Sequence, residues 1–441
     1  MPRYLRKRIA DFSYKMTMGN VFGYERLLAE AGQWDLEKRQ GWRLDKLNQI
    51  LDHCWDHTTF YPEYWQDHGV RRKKLRLLAE LAEFPVLPKD VFRDNMNRCE
   101  ADNLDRISCH WKATGGSTGQ PLRYRQDKKT WAFTQAFHYW GWGQMGYEFG
   151  DAIAIIAGGS LLPGHLSIKA KIRRWIENRI YFPGVHMDDD LARSHAQKMM
   201  QKKPRFIYGY PSIIAMLGES IRKQGLEVTD IQGVVTTSEM LRPAFRTSIE
   251  NNFQTEVFDH AGCNDGGYMA YECGLHNGLH YNDLLSILET TSDSGQEDRL
   301  LITNLWNRSM PFVRYENGDT LKLGKEPCSC GQAFPLIESI EGRAMDVLEF
   351  SNGRSLSGPA LTIIFREMHI ASWQIVQKTP DSVEVRIQCD EIKKEWENHI
   401  RKMLKCHVGE DVRVSVVPID KLERFANGKL KPVWSEVDRA K

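Results

Sequence analysis

The sequence lacks long apolar runs, has few cysteines and shows no excess of one charge. No segment of its 441 residues approaches the roughly 20 consecutive apolar residues of a membrane-spanning helix. Its 60 basic and 58 acidic residues give a net charge of +2, which argues against a dedicated nucleic-acid-binding protein, because such proteins are normally strongly basic. The nine cysteines are too sparse for a disulfide scaffold. Internal repeats and low-complexity tracts are absent as well.

The amino-terminal segment is basic, but no apolar stretch follows it. We therefore expect no secretory signal peptide, and the odd number of cysteines fits reduced thiols in a cytoplasmic protein. The segment itself is expected to form a solvated surface helix. The alternative is weak contact with a membrane surface through Arg3, Arg6, Lys7 and Arg8.

The hydrophobic pattern changes along the chain. About the first 110 residues have apolar side chains at helical spacing, for example from Leu44 to Trp55. The middle of the chain alternates short apolar runs with amphipathic stretches, which predicts an α/β domain with a largely parallel sheet. These apolar runs begin at Asp151, Arg205, Gly233 and Thr255. Ligands of such sheets bind beyond the carboxyl ends of the strands.

The last hundred residues have a different pattern. Two alternating runs, from Val383 and from Val412, flank an amphipathic helical segment and predict a small α+β unit. We therefore expect a large N-terminal α/β domain (residues 1–343) and a small C-terminal α+β domain (residues 344–441), with the boundary near Gly342–Asp346.

The segment TGGSTGQPLRY, which begins at Thr114, is rich in glycine and hydroxyl groups. Glycines let the backbone approach a ligand closely, and consecutive amide groups can form an anion-binding nest. The hydroxyl groups of Thr114, Ser117 and Thr118 add donors for phosphate oxygens. No GK[ST] follows, so this is not a Walker loop, and a plain flexible turn is the alternative.

Three further segments each carry one polar residue of interest. Asp319, in RYENGDTLKL, could accept hydrogen bonds from a ribose diol. Arg343, in IEGRAMD, could reach a nucleotide phosphate, and Lys429, in ERFANGKLKPVW, lies at a predicted turn. Taken singly, these segments can be explained as a hairpin turn, a charged linker and a loop with a solvated lysine.

Together, the order and spacing of the four segments resemble those of the adenylate-forming superfamily, most closely its phenylacetate–CoA ligase and CapK-like branch. The resemblance runs from about Phe60 to Trp434 and is particularly close in VVTTSEMLRPAFRTSIENNF and AYECGLHNGLHYN. It implies a large adenylation domain and a small mobile domain. It also implies ATP-dependent activation of a carboxylic acid as acyl-AMP, release of pyrophosphate and acyl transfer to CoA.

The resemblance assigns roles to residues of this sequence. It implies that Lys429 is the catalytic lysine of the small domain, with Lys431 as the nearby alternative. It makes Asp319 the ribose-binding residue and Arg343 the arginine of the hinge motif, with Asp346 near the pivot. The loop that would cradle the ATP phosphates consists of Thr114, Gly115, Gly116, Ser117, Thr118 and Gly119.

The adenine and magnesium segments match the family less completely. Ser238 and Glu239 correspond to the segment beside the adenine. Where the family reads Tyr-Gly-x-Thr-Glu, this chain has AGCND, so the adenine-stacking aromatic is absent and Asp265 replaces the glutamate that helps to hold Mg²⁺. An aspartate also suits a hard cation, and Asp265 is therefore the predicted catalytic magnesium ligand. The phosphate loop also departs from the family pattern, because Gly115 replaces a residue with a hydroxyl group.

The acyl acceptor stays open at this point. CapK-like relatives make transfer to an amine or hydroxyl, for example on a polysaccharide precursor, an alternative to CoA. A binding protein with a decayed active site is a third alternative, which the AGCND departure favours and the retained Asp319, Arg343 and Lys429 oppose.

Cysteine and histidine residues form a second candidate site. Cys273, His280, Cys328 and Cys330 would make a closed Cys₃His set suited to structural Zn²⁺, and relatives in this branch have similar cysteine and histidine positions. The C-x-C spacing is tighter than the usual C-x₂-C, so a pair of reduced thiols in a turn is the alternative. His276 is the substitute ligand.

Four aromatic side chains follow the phosphate loop, in a region that often lines the acid site of this family. They are Trp131, His138, Tyr139 and Trp142. The alternative is a helix that simply contributes to the core. If the region does line the acid site, it favours an aromatic or medium-length apolar acid.

Overall fold

The structure is a computed structural model. It describes residues 1–113, 122–157, 167–184, 187–239, 241, 243–291, 299–340, 347–357, 365, 368, 370, 373–420, 423 and 433–437. Within these residues the helices are α1 (Arg3–Thr17), α2 (Val21–Ala31), α3 (Leu36–His57), α4 (Phe60–Asp67), α5 (Lys89–Asp94), α6 (Met96–Cys99), α7 (Lys128–Gly143), α8 (Ile168–Glu177), α9 (Asp189–Lys202), α10 (Pro211–Lys223), α11 (Pro243–Phe253) and α12 (Lys394–Val408). Two 3₁₀ helices span Leu78–Glu83 and Leu104–Arg106.

The strands follow the same chain order. They are β1 (Leu87–Pro88), β2 (Cys109–Ala113), β3 (Arg123–Asp127), β4 (Ile153–Ala157), β5 (Arg179–Pro183), β6 (Phe206–Gly209), β7 (Gly233–Thr237), β8 (Val257–Cys263), β9 (Tyr268–Glu272), β10 (Leu279–Tyr281), β11 (Ser286–Thr291), β12 (Arg299–Asn304), β13 (Tyr315–Leu323), β14 (Leu336–Ile340), β15 (Val347–Glu349), β16 (Ser355–Ser357), β17 (Trp373–Thr379), β18 (Ser382–Gln388), β19 (Arg413–Ile419) and β20 (Val433–Ser435).

One large sheet organises the N-terminal domain. Its strand order is β11-β12-β13-β14-β10-β9-β8-β7-β6-β4-β5, and β1 pairs with β13. The strands from β8 to β5 are parallel, whereas the strands from β9 to β11 pair with their neighbours in antiparallel fashion. The four apolar runs of the middle region form β4, β6, β7 and β8, so the predicted parallel sheet is confirmed.

The parallel strands are continuously apolar because helices cover both faces of the sheet. Ile153 and Ile155 of β4 face α7 in one core, whereas Ala154 and Ile156 face α9, α10 and α11 in another. A strand buried on both sides shows no polar alternation, which is why all five residues of β4 are buried.

The C-terminal region forms its own four-stranded sheet in the order β19-β18-β17-β20. Val383, Val385 and Ile387 alternate inward from β18 and pack with Ile400 and Leu404 of α12. The expected fold class, a large α/β domain followed by a small α+β domain, is thus confirmed. The predicted boundary at Gly342–Asp346 lies outside the described residues, so its position remains a proposal.

The basic amino terminus forms the surface helix α1, but one of its arginines points inward. The Arg6 side chain is 8% exposed, and its guanidinium donates to the backbone oxygens of Trp175 and Ile176 on α8. Arg6 therefore cannot make the surface contact considered for it. Across the described residues, no helix has both the length and the low polarity that crossing a membrane requires.

Candidate functional site

The candidate site lies at the carboxyl edge of the parallel strands. Thr237 at the end of β7 pairs with His260 of β8, so the turns that follow these two strands are neighbours. Ser238 begins the first turn, where it is exposed and has a left-handed φ of 68° that is uncommon for a serine. Asp265 lies in the second turn. The sheet thus brings together two segments that the resemblance placed around the nucleotide.

Asp265 is 6% exposed and is held from two other parts of the chain. Lys89 Nζ lies 2.6 Å from its Oδ2 oxygen, and the Tyr315 hydroxyl donates to the same oxygen at 2.9 Å. These contacts form because β1 pairs with β13, with Leu87 opposite Tyr315. Sequence reasoning missed Lys89, since nothing local links it to an aspartate 176 residues away.

Asp319 lies at an irregularity in β13. The register with β12 shifts between Arg299, opposite Thr320, and Leu301, opposite Glu316, which leaves extra residues on β13. Gly318 has a φ of 90° there, and the Asp319 backbone amide donates to Asn317 Oδ1 at 3.0 Å. The NG dipeptide therefore forms a bulge inside a strand instead of a hairpin turn. Bulges often re-aim side chains beside functional sites.

Asp265 and Asp319 both lie near the Cys263 thiol. Burial raises the pKa of the Cys263 thiol, and the nearby carboxylates of Asp265 and Asp319 raise it further. The turn after β8 and the bulge of β13 therefore present two acidic groups to one region.

The strands β2 and β3, which flank the predicted phosphate loop in the sequence, pair with each other and approach the same turn. The Tyr124 hydroxyl of β3 donates to the Asn264 backbone oxygen. Burial lowers the pKa of Lys112 on β2 to about 8, and the nearby Cys263 thiol opposes this shift. Lys112 is thus a second lysine that sequence reasoning missed, although its position two residues before the glycine-rich segment was a usable signal.

Several predicted site residues lie outside the described residues. They are Thr114, Gly115, Gly116, Ser117, Thr118, Gly119, Arg343, Asp346, Lys429 and Lys431. Lys112 of β2 and Tyr124 of β3, on either side of this segment in the sequence, lie near Cys263 and Asn264. Glu239 is described, is half-buried and directly follows Ser238.

A cluster of polar aromatic residues lies at the same edge of the sheet. His260 of β8 stacks on Tyr271 with ring centroids 4.2 Å apart, and its Nδ1 lies 2.8 Å from the Thr237 hydroxyl. His138 of α7 hydrogen-bonds to the Tyr271 hydroxyl, and its ring centroid lies 5.3 Å from that of His260. Tyr208 Oη lies 3.2 Å from His260 Nδ1.

His260 is neutral and retains one unused polar atom. Burial lowers its pKa to about 3, so the ring is uncharged at neutral pH. Its Nε2 atom is buried and has no hydrogen-bond partner among the residues that the structure describes. Of the four aromatic residues predicted to line an acid site, His138 joins this cluster, whereas Tyr139 and Trp142 are buried in the hydrophobic core. Trp131 packs against that core.

The four predicted metal ligands come together. Cys273 follows β9, His280 lies in β10, and Cys328 and Cys330 precede β14, which pairs with β10. Their ligand atoms all lie within 4.8 Å of one another. The Sγ atoms of Cys273 and Cys328 are 3.9 Å apart, close to the roughly 3.8 Å between two thiolates on a tetrahedral zinc ion.

The histidine of this cluster is oriented for a metal. His280 Nδ1 lies 2.7 Å from the Phe334 backbone oxygen. The proton therefore belongs on Nδ1, and the lone pair of Nε2 is available to coordinate a metal ion. That Nε2 lies 3.2 Å from Cys330 Sγ. His276, the substitute ligand, instead places its Nδ1 3.0 Å from a Glu272 carboxylate oxygen.

The fold is similar to that of a solved CoA ligase. A solved 2-hydroxyisobutyryl-CoA ligase, in complex with 2-HIB-AMP and CoA in the thioesterification state, matches with a TM-score of 0.63 at 18% identity, covering 92% of each chain. The same ligase in the postadenylation state matches with a TM-score of 0.60, covering 93% of this chain and 92% of its own.

The curated relatives belong to a narrower group. Protein CapK of Staphylococcus aureus is 22% identical over 395 residues, which cover 87% of this chain and 86% of CapK. A phenylacetate-coenzyme A ligase of Pseudomonas putida is 25% identical over 328 residues, covering 69% of this chain and 71% of that protein. No family model matches the chain. The predicted resemblance to the phenylacetate–CoA ligase and CapK branch is confirmed by these relatives.

Proposed function

We propose that this chain is an AMP-forming acid ligase that converts a carboxylic acid to its acyl-AMP and then to its CoA thioester. The observation that carries the proposal is the buried Asp265, held by Lys89 and Tyr315 in the turn after β8, at the sheet edge that Tyr124 of β3 contacts. The similarity to phenylacetate-coenzyme A ligases over most of the chain supports it.

The chemistry needs charge neutralisation more than it needs a base. A carboxylate oxygen attacks the α-phosphorus of ATP, the new oxygen–phosphorus bond forms, and the bond to the β-phosphate breaks to release pyrophosphate. The carboxylate is already a nucleophile, so the protein must offset anionic repulsion and hold the attack in line. Lys429 is proposed to do this at the α-phosphate, with Arg343 and residues 114–119 around the nucleotide. The CoA thiol then attacks the acyl carbon, and AMP leaves.

Asp265 is the proposed magnesium ligand. Both contacts described for its carboxylate are made by Oδ2, so we propose that Oδ1 faces the cation. A bound Mg²⁺ would neutralise phosphate charge during the attack. Lys89 holds the short aspartate side chain in place and adds a positive charge beside it.

The polar cluster narrows the class of acid that we propose as the substrate. His138, His260 and Tyr208 put hydrogen-bonding groups next to the sheet edge, and a buried Nε2 atom without a partner is costly unless a ligand satisfies it. We therefore propose an aromatic acid with a polar ring substituent instead of the purely apolar acid that the sequence favoured. Ser238 and Glu239 remain the proposed adenine-side residues.

CapK supports a second candidate function. Its match spans 87% of this chain, so transfer of the activated acyl group to an amine or hydroxyl acceptor, such as a polysaccharide precursor, is the alternative to CoA. Adenylate formation is common to both functions, and only the second half-reaction separates them.

We also propose that Cys273, His280, Cys328 and Cys330 hold a structural Zn²⁺ ion. Three sulfurs and one oriented imidazole match its preferred donor set, and four protein ligands leave no open position for catalysis. A cytoplasmic location is proposed with it, supported by nine cysteines that form no disulfide bond.

The test of the proposed function is ATP–pyrophosphate exchange with paired acids, such as phenylacetate and 4-hydroxyphenylacetate, alongside fatty and amino acids. We expect exchange with an aryl acid, faster with the hydroxylated member, and AMP release that requires CoA. Exchange without CoA-dependent AMP release would favour the CapK-like acceptor. No exchange with any acid by folded protein would favour the decayed-site alternative.

Replacing Asp319 with alanine is expected to weaken ATP binding about 10- to 100-fold, since a charged hydrogen bond to the ribose contributes roughly 1.5–3 kcal/mol. The dissociation constant of ATP, measured by calorimetry, checks it. Glu316→Ala on the same strand is the control and should bind ATP as the unmodified protein does. Unaltered ATP affinity in the Asp319 variant would contradict the ribose assignment.

A further inference from the structure

Helix α1 presents an apolar stripe to solvent. Leu5, Ile9, Phe12 and Met16 recur at helical spacing, and Phe12 and Met16 are 71% and 72% exposed. The opposite face of the helix is the one that packs on the domain, through Arg6, Ala10 and Tyr14. The stripe therefore contributes nothing to the described core, although it is as regular as a core-facing stripe.

Helix α8 carries a second exposed stripe. Ile168, Ile172 and Trp175 follow the same spacing and are 76%, 53% and 60% exposed. Arg6 joins the two helices, because its guanidinium donates to α8 backbone oxygens and lies 5.4 Å from the Trp175 ring centroid. We call these seven exposed side chains on the two packed helices the α1–α8 surface.

The charge of the two helices is strongly positive, unlike that of the whole chain. Helix α1 has five basic residues and one acidic residue, and α8 has four basic residues and one acidic residue. The acidic residue of α8, Glu177, is buried and accepts from Tyr14. Arg3 and Lys7 are ion-paired with neighbouring carboxylates, whereas Arg8 and Lys171 make no ion pair within the described part of the chain.

A basic pocket of about 490 Å³ adjoins Trp175. Four of its eight lining residues are the cations Arg174, Arg179, Lys198 and Lys202, and none is acidic. Arg179 is ion-paired with the buried Glu177, so the positive charge available to a ligand comes from the other three. Arg174 stacks on Tyr181 at 3.9 Å from the ring centroid, and its buried Nη2 has no hydrogen-bond partner among the described residues. Guanidinium groups of this kind bind phosphate well.

We propose that the α1–α8 surface docks on an anionic lipid bilayer and that the basic pocket takes a lipid headgroup phosphate. Amphipathic helices with apolar stripes and basic flanks bind such interfaces by burying the stripe while lysines and arginines meet anionic lipids. A second copy of the chain fits less well, because a two-fold contact would place the same basic residues against each other. Trp175 belongs to both the stripe and the pocket. A phosphate in the pocket would therefore lie at the membrane–water interface, where tryptophan side chains are enriched.

Co-sedimentation of the full chain with phosphatidylcholine vesicles, with and without phosphatidylglycerol, tests the proposal. We expect binding to the anionic vesicles only, weakened by added salt. The double variant Phe12→Ser, Met16→Ser should bind about tenfold less or weaker still, and Lys198→Ala, Lys202→Ala should reduce binding several-fold. Leu77→Ser, which changes a 64% exposed leucine outside this surface, should bind like the unmodified protein.

Three outcomes would overturn the proposal. They are absence of binding to anionic vesicles, equal binding by the Phe12 and Met16 double variant, and a dimer in light scattering that this double variant converts to monomer without any vesicle binding. Pyrophosphate exchange is the check on folding of the variants, because none of the changed residues belongs to the proposed active site.

Discussion

Replacing Lys429 with alanine is expected to lower acid-dependent ATP–pyrophosphate exchange by about 10²- to 10³-fold at saturating substrates. The lysine is proposed to offset negative charge that develops between the attacking carboxylate and the α-phosphate. Because this charge is greatest in the transition state, the loss should be in kcat more than in KM. The measurement is the steady-state exchange rate with the acid that the panel identifies.

A second readout separates a catalytic role from a loss of folding. The lysine is proposed to act only while the adenylate forms, so the Lys429 variant should still convert chemically prepared acyl-AMP to product. Lys431→Ala is the matched control and should keep normal exchange. A Lys429 variant with unchanged exchange would remove the residue from the mechanism, and a loss confined to the Lys431 variant would transfer the role to Lys431.

Removing the proposed zinc ion should have the largest effect on stability. The purified protein is expected to contain about one zinc per chain by elemental analysis. Cys328→Ser should abolish this zinc content and lower the free energy of unfolding by about 4 kcal/mol or more, because losing a structural metal is among the most destabilising changes. In a chain of this size we expect the melting temperature to fall by roughly 5–10 °C.

The control for this experiment is Cys389→Ser, a free cysteine that lies outside the cluster. It should leave both the zinc content and the melting temperature unchanged. A protein that is stable and metal-free as purified would rule out the zinc proposal, and the four side chains would then be reduced thiols beside a buried histidine.

The regular part of the fold was predictable because it depends on local periodicity. Continuous apolar runs bounded by turns predicted β4, β6, β7 and β8, and the alternating run from Val383 predicted β18. A strand covered on both faces is apolar throughout, whereas a strand covered on one face alternates, and that difference is visible within five to seven residues. The clustering of Cys273, His280, Cys328 and Cys330 was likewise predictable, because cysteine and histidine are the residue types that bind zinc.

The surroundings of the candidate site were less predictable. Lys89 and Asp265 are 176 residues apart in the chain and meet only because β1 pairs with β13. The NG dipeptide before Asp319 predicts a hairpin turn, but in the structure it forms a bulge where β13 pairs with β12. In the sequence, His138 is one of four similar aromatic residues of α7. Only in the structure does its hydrogen bond with Tyr271 distinguish it from the others.

The sequence by itself determined which segments become strands and helices and which residue types carry the proposed chemistry, because hydrophobic period and side-chain chemistry are local properties. Only the tertiary structure decided which charges and polar atoms meet: Lys89 with Asp265, His138 with His260, and α1 with α8. Those meetings depend on strand order and register and on helix packing, which join distant parts of the chain and leave no signal in any single segment.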